Sequence, residues 1–164
     1  MRYVLKQKLI ALGDDYVVKN EQGEQVYYID AAKFSIGDKL AILDSDKNEI
    51  ASIKSKFLTW SPKYLIYKNN ENYATIKKKW SFWGLKIKID IPGPNDLIAK
   101  GKIAKREYKL LRHGKQVAKV SKGWFNMSGS FGVEINEGED DVLIVASVVA
   151  IELLVEKLGK GDDS

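Results

Sequence analysis

Three lysine pairs, Lys54 and Lys56, Lys77 and Lys79, and Lys86 and Lys88, share a spacing of two residues. On an extended strand that spacing puts both ammonium groups of a pair on one face, where they can hold phosphate or carboxylate oxygens. The two later pairs flank Trp80, Phe82 and Trp83, so that lysines surround an aromatic turn, in which Trp83 before Gly84 is the aromatic expected to be exposed. Between residues 51 and 122 there are 18 lysines and arginines against 4 aspartates and glutamates, while the rest of the chain carries 9 against 18. A basic middle of this kind attracts polyanions or anionic membrane surfaces, and scattered lysines are also the ordinary solvated covering of a soluble protein.

Other chemistries lack parts. His113 is the single histidine and sits between Arg112 and Gly114 in a turn, with no partner for acid–base work or metal binding. The chain has no cysteine, which excludes disulfides and thiolate metal sites. Asp44-Ser45-Asp46-Lys47-Asn48 begins like a calcium loop, but Glu49 stands where glycine is needed and Ser55 where glutamate is needed, so a hairpin turn is expected. Gly138-Glu139-Asp140-Asp141 concentrates acids where a helix starts, a pattern explained by capping and the helix dipole. Gly129-Ser130-Phe131-Gly132 lacks the spacing and lysine of a phosphate loop. No enzyme, cofactor or metal is expected.

The elements that must position the lysines are strands. From Asp15 onward, short alternating runs are separated by turn chemistry, as in Asn20-Glu21-Gln22-Gly23, Lys68-Asn69-Asn70-Glu71-Asn72 and Arg112-His113-Gly114-Lys115. Three segments repeat an apolar-Ala-x-β-branched start followed by an aromatic: Ile50-Ala51-Ser52-Ile53 with Phe57, Tyr73-Ala74-Thr75-Ile76 with Trp80, and Val117-Ala118-Lys119-Val120 with Trp124. Alternation puts Ala51, Ala74 and Ala118 inside, and the same parity turns the six lysines outward. Of the aromatics Trp60, Trp80, Trp83, Trp124 and Phe125, all but Trp83, the best candidate for exposure, are expected to pack in the core or at its ends.

Residues 142–151 form an apolar run broken only by Ser147, the pattern of a helix buried on all sides. It is too short to span a bilayer, and Gly159 is its expected stop. About a dozen strands and one all-round apolar helix answer one another. Eight strands enclose little more than side chains, a helix is about 10 to 12 Å across, and closure removes exposed edges. The expected fold is mainly β: a closed antiparallel barrel of about 12 strands around a central hydrophobic C-terminal helix. Residues 1–158 make the single domain and residues 159–164 a disordered tail.

These features resemble the LURP-one-related proteins, a branch of the tubby C-terminal-like and phospholipid scramblase-like superfamily. The resemblance rests on Met1-Arg2-Tyr3-Val4-Leu5-Lys6-Gln7-Lys8, Phe34-Ser35-Ile36-Gly37-Asp38-Lys39-Leu40, Pro92-Gly93-Pro94-Asn95-Asp96, Val117-Ala118-Lys119-Val120-Ser121-Lys122 and Gly132-Val133-Glu134-Ile135, all similar to the bacterial branch. It implies the plugged barrel. In tubby domains a basic surface binds phosphoinositide headgroups, so the resemblance implies a non-enzymatic binding module for anionic phospholipid or another phosphorylated ligand, centred on the six lysines. The palmitoylated cysteine tract of scramblases is absent. The alternative is a regulatory scaffold for an acidic protein partner. Nucleic acid ranks below both, since no recognition motif appears. Without an apolar leader at the N-terminus, the expected location is cytoplasmic, or peripheral to a membrane.

Overall fold

The computed structural model describes residues 1–10, 13–30, 39–56, 62–81, 84–122 and 129–161. Its strands are β1 (Arg2–Ile10), β2 (Gly13–Lys19), β3 (Gln25–Asp30), β4 (Lys39–Leu43), β5 (Glu49–Lys56), β6 (Lys63–Lys68), β7 (Glu71–Ser81), β8 (Gly84–Asp90), β9 (Leu97–Lys102), β10 (Glu107–Arg112), β11 (Lys115–Ser121) and β12 (Ser130–Ile135). A 3-10 turn, η1 (Ile103–Lys105), follows β9, and the helix α1 (Asp141–Gly161) closes the sequence of elements. Each strand pairs antiparallel with its chain neighbours and β1 pairs with β12, giving a closed twelve-strand barrel. The expected architecture is the observed one.

Alternation decides which side chains fill the barrel. Ile53, Ile66, Ile76, Ile87 and Leu97 are fully buried on successive strands, each separated by a more exposed neighbour. Inside runs α1, with Val145, Ala146, Val148, Val149, Ala150 and Ile151 all at 0% exposure. The helix leans toward β5, β6 and β7. Ala51 on β5 and Ala74 on β7, 4% and 1% exposed, present small side chains to the helix on that wall. Among the large buried aromatics, Tyr64 lies on β6, and Tyr16, Tyr108 and Phe131 lie on β2, β10 and β12. Ala118, also buried, completes the inward set expected from the repeat. Phe57, Trp60, Trp83, Trp124 and Phe125 lie outside the described residues, as does the side chain of Trp80, whose backbone pairs with Leu85.

The upper rim, where α1 begins, is tied by polar contacts. Asp140 caps the helix, its Oδ1 accepting the Leu143 N–H at 3.0 Å. Its Oδ2 accepts the Tyr73 hydroxyl at 3.0 Å and pairs with Lys68 Nζ at 3.3 Å. Burial pushes the Asp140 carboxyl up, but the Leu143 N–H, Tyr73 and Lys68 together hold it below the usual carboxylate range. Tyr3 donates to Asp141, and Arg112 Nη1 reaches both oxygens of Glu139 at 2.7 and 2.9 Å. The acids at residues 139–141 are thus used in seating the helix. At the lower rim α1 runs on to Gly161, past the stop expected at Gly159. Gly159 has open space around it and lies inside the helix, so nothing terminates the hydrogen-bond ladder there. Residues 162–164 lie outside the described residues.

Gly101 is needed where β9 meets β10. Its φ is +135°, and a Cβ there would lie 2.7 Å from the Glu107 carbonyl oxygen and 2.9 Å from Tyr108 Cα. Gly101→Ala is expected to cost at least about 2 kcal/mol through backbone strain and steric clash, read as a lower urea midpoint with an unchanged slope.

Candidate functional site

The cross-strand register brings the lysines together. Lys56 on β5 stands opposite Lys63 on β6, Lys63 opposite Lys77 on β7, and Lys77 opposite Lys88 on β8. Four strands therefore contribute one unbroken lysine row across the outer wall. Two residues nearer the lower rim, Lys79 faces Lys86. Directly opposed residues have Cβ atoms about 4.5 to 5.5 Å apart, and like charges at that distance are destabilising. Lys63 was missed in the sequence, although it sits at the centre of the row.

Five of the six expected lysines join this patch, and the sixth stands apart from the row. Lys54 is opposite Lys39 and Leu65, with its Nζ 5.0 Å from the centre of the Tyr67 ring. The patch is not uniformly available. Lys77 pairs with Asp90, and Lys88 pairs with Asp90 at 2.9 Å and Asp96 at 3.4 Å. Burial pushes the Asp90 carboxyl up, but the two lysines outweigh it and hold it below its ordinary value. Asp90 and Asp96 in turn raise the Lys88 ammonium, chiefly through the hydrogen bond to Asp90. Among the described residues, Lys56, Lys63, Lys79 and Lys86 have no carboxylate partner. The available charge is centred on these four.

The basic rows continue round the barrel. Lys100 on β9 faces Lys109 on β10, and Lys109 faces Lys119 on β11. Lys119 follows from the parity that buries Ala118 and Val120. His113, in the β10–β11 turn with φ 49°, is exposed and its Nε2 lies 3.0 Å from the Pro94 carbonyl. Asp44 Oδ1 accepts the backbone N–H groups of Asp46 and Asn48, both at 2.9 Å, which makes this segment the expected turn. An open groove of about 400 Å³ lies between Pro94, Ile98, Leu111 and His113. Among the described residues there is no cluster of three metal-ligating side chains, and no helix is long and apolar enough to cross a membrane.

This geometry sets several ammonium groups side by side on one outer wall. Comparison with known proteins places the chain among relatives. It is 25% identical over 151 residues to the uncharacterized protein YxjI of Bacillus subtilis, covering 92% of this chain and 91% of that one. An X-ray structure of an Arabidopsis thaliana protein superposes with a TM-score of 0.65 at 14% identity, covering 96% of this chain and 91% of that one, and so shares the fold. The LURP-one-related family model matches residues 1–152, and the chain belongs to that family.

Proposed function

We propose that this protein is a non-enzymatic binding module that engages anionic phospholipid headgroups through its basic barrel face. The observation that carries this reading is the unbroken row Lys56, Lys63, Lys77 and Lys88 with the Lys79–Lys86 pair beside it. Opposed lysines lower stability in the free protein, and a layer of phosphates relieves their repulsion. The resemblance to tubby C-terminal domains points the same way. Four members of the patch are free of carboxylates among the described residues, so ligand need not displace an internal partner there.

The register supplies a test that separates binding from folding. Lys63→Glu with Lys79→Glu places each new carboxylate opposite lysines: Lys56 and Lys77 in one case, Lys86 in the other. Binding to mixed phosphatidylcholine–phosphatidylserine vesicles should fall at least about tenfold in co-sedimentation, while the melting temperature stays equal or rises. Unaltered binding by a folded variant would remove these lysines from the site. If the wild type ignores vesicles and an acidic protein or a nucleic acid depends on the same residues, the lipid reading is replaced.

A further inference from the structure

Outward positions on β8 to β10 are mostly lysine, and two are not. On β9, Leu97 and Ala99 face the interior at 0% exposure, so Ile98 and Lys100 face out. On β10, Tyr108 and Leu110 are buried, Lys109 is exposed, and Leu111 stands opposite Ile98. Ile98 and Leu111 are thus a half-buried apolar pair on the outer wall, and they line the open groove of about 400 Å³. Its upper end is bounded by His113 from the β10–β11 turn and Pro94 from the β8–β9 turn, whose Nε2 and carbonyl oxygen lie 3.0 Å apart. Its lower end meets lysines. Lys100 and Lys109 form the next outward pair, two residues or roughly 7 Å along the strands. The Ile87–Ala99 pair puts Lys86 beside Lys100, and Lys119 stands opposite Lys109. Among the described residues, Lys86, Lys100 and Lys109 have no carboxylate partner.

The polar side chains that line the groove already have partners. Asp96 Oδ1 accepts the Ile91 N–H at 2.9 Å and its Oδ2 lies 3.4 Å from Lys88 Nζ, while His113 Nε2 is taken by the Pro94 carbonyl. A peptide laid there would find few partners for its amides, and unpaired amides are costly to bury. A closed barrel also offers no free strand edge to which a peptide could add. The Ile98–Leu111 pair spans two strands about 4.8 Å apart, a narrow seat for a helix about 10 to 12 Å across. A single alkyl chain needs neither hydrogen bonds nor that width, and the volume is that of a small-ligand site.

We propose that this groove binds a single-chain anionic amphiphile, its phosphate or carboxylate head on Lys100 and Lys109 and its alkyl chain over Ile98 and Leu111 toward Pro94 and His113. A head group there relieves the repulsion between the opposed lysines, and the chain covers apolar surface that water otherwise meets. The choice of ligand rests on the lipid reading above. The groove itself lies on β9 and β10, outside the row on β5 to β8, so either site can fail alone.

His113 is the only histidine in the chain, so in untagged protein its ring proton resonances report on the upper end of the groove without a label. At fixed pH and below micelle-forming concentrations, decyl phosphate should shift these signals saturably. Its Kd should be at least about tenfold lower than that of hexyl phosphate, since each buried methylene tightens binding roughly fourfold. Inorganic phosphate should leave the signals in place, and decyl maltoside, with the same chain and a neutral head, should bind at least about fivefold more weakly. Ile98→Thr with Leu111→Thr retains strand preference and should abolish the chain-length dependence. Lys100→Gln with Lys109→Gln should bring decyl phosphate to the affinity of decyl maltoside. Equal affinity for hexyl and decyl phosphate, or either double variant binding decyl phosphate as the wild type does, would overturn the groove site, and vesicle co-sedimentation of the same protein then decides the lipid reading separately. A saturable shift in a wild type that ignores vesicles would sink the bilayer reading and keep the groove. An acidic, leucine-containing peptide that moved His113 at lower concentration than decyl phosphate would reassign the groove to a protein partner.

Discussion

Ala146→Asp or Val149→Asp should yield no soluble folded protein. Both residues have 0% exposure on α1, surrounded by barrel wall. A carboxylate placed there has no partner and no water. It must either stay ionised in an apolar medium or take up a proton, at a cost of several kcal/mol. Domains of this size are stable by only about 5 to 15 kcal/mol, so one such group consumes much of the margin. The helix also fills a barrel whose strands cannot close onto one another without it. Soluble expression and far-UV circular dichroism check the outcome. A chain ending after Asp141 that unfolded cooperatively at the wild-type temperature would contradict the plugged barrel.

Arg106→Met should destabilise the protein by about 3 to 5 kcal/mol near neutral pH, because it removes the main partner of a largely buried Glu152. The two side chains are 18% and 12% exposed, with Nε and Oε2 2.8 Å apart, and Arg106 also lies 4.7 Å over the Phe131 ring. Burial already raises the Glu152 carboxyl, and Arg106 is its main counterweight, with Lys122 assisting and Glu156 opposing. Without Arg106 it rises further. A carboxyl raised in the folded state favours folding below its unfolded value, roughly pH 4.3, and that contribution is lost as pH rises through the raised value. The gap between variant and wild type, measured by urea unfolding, should therefore shrink as the solution is acidified. Adding Glu152→Leu should recover most of the loss at neutral pH. A gap that ignores pH and the second substitution would place the effect in lost packing on Phe131.

The fold was legible because its two periodicities are clean. Ala51 and Ile53, Ala74 and Ile76, and Ala118 and Val120 alternate with polar neighbours, and residues 142–151 are apolar on every side of a helix. The site was legible only in part. In Tyr64-Leu65-Ile66-Tyr67 both faces are apolar, so parity does not say which way β6 turns, and Lys63 before it has no readable face. Alternation along β8 already sets Lys88 and Asp90 on one face, but the contacts of Lys77 with Asp90 and of Lys88 with Asp96 depend on strand pairing and on how the following turn folds back, which single-strand alternation does not encode. Register shifts at Val18/Lys19, Ile42/Leu43, Ile66/Tyr67 and Leu110/Leu111 all fall beside upper-rim turns, where alternation by counting fails. The lysine row appears only after pairing, because Lys56, Lys63, Lys77 and Lys88 come from four strands that are neighbours in space.

The most direct test of the basic face as an anionic-lipid site is the partition of wild-type protein onto vesicles at increasing salt. Neutral phosphatidylcholine vesicles should leave it in the supernatant, and vesicles containing phosphatidylserine should sediment it at about 0.1 M salt, where the Debye length is about 10 Å. At about 1 M salt that length is about 3 Å, and the protein should return to the supernatant. Absence of binding at low salt, or binding that is equal on neutral vesicles and indifferent to salt, would contradict the account.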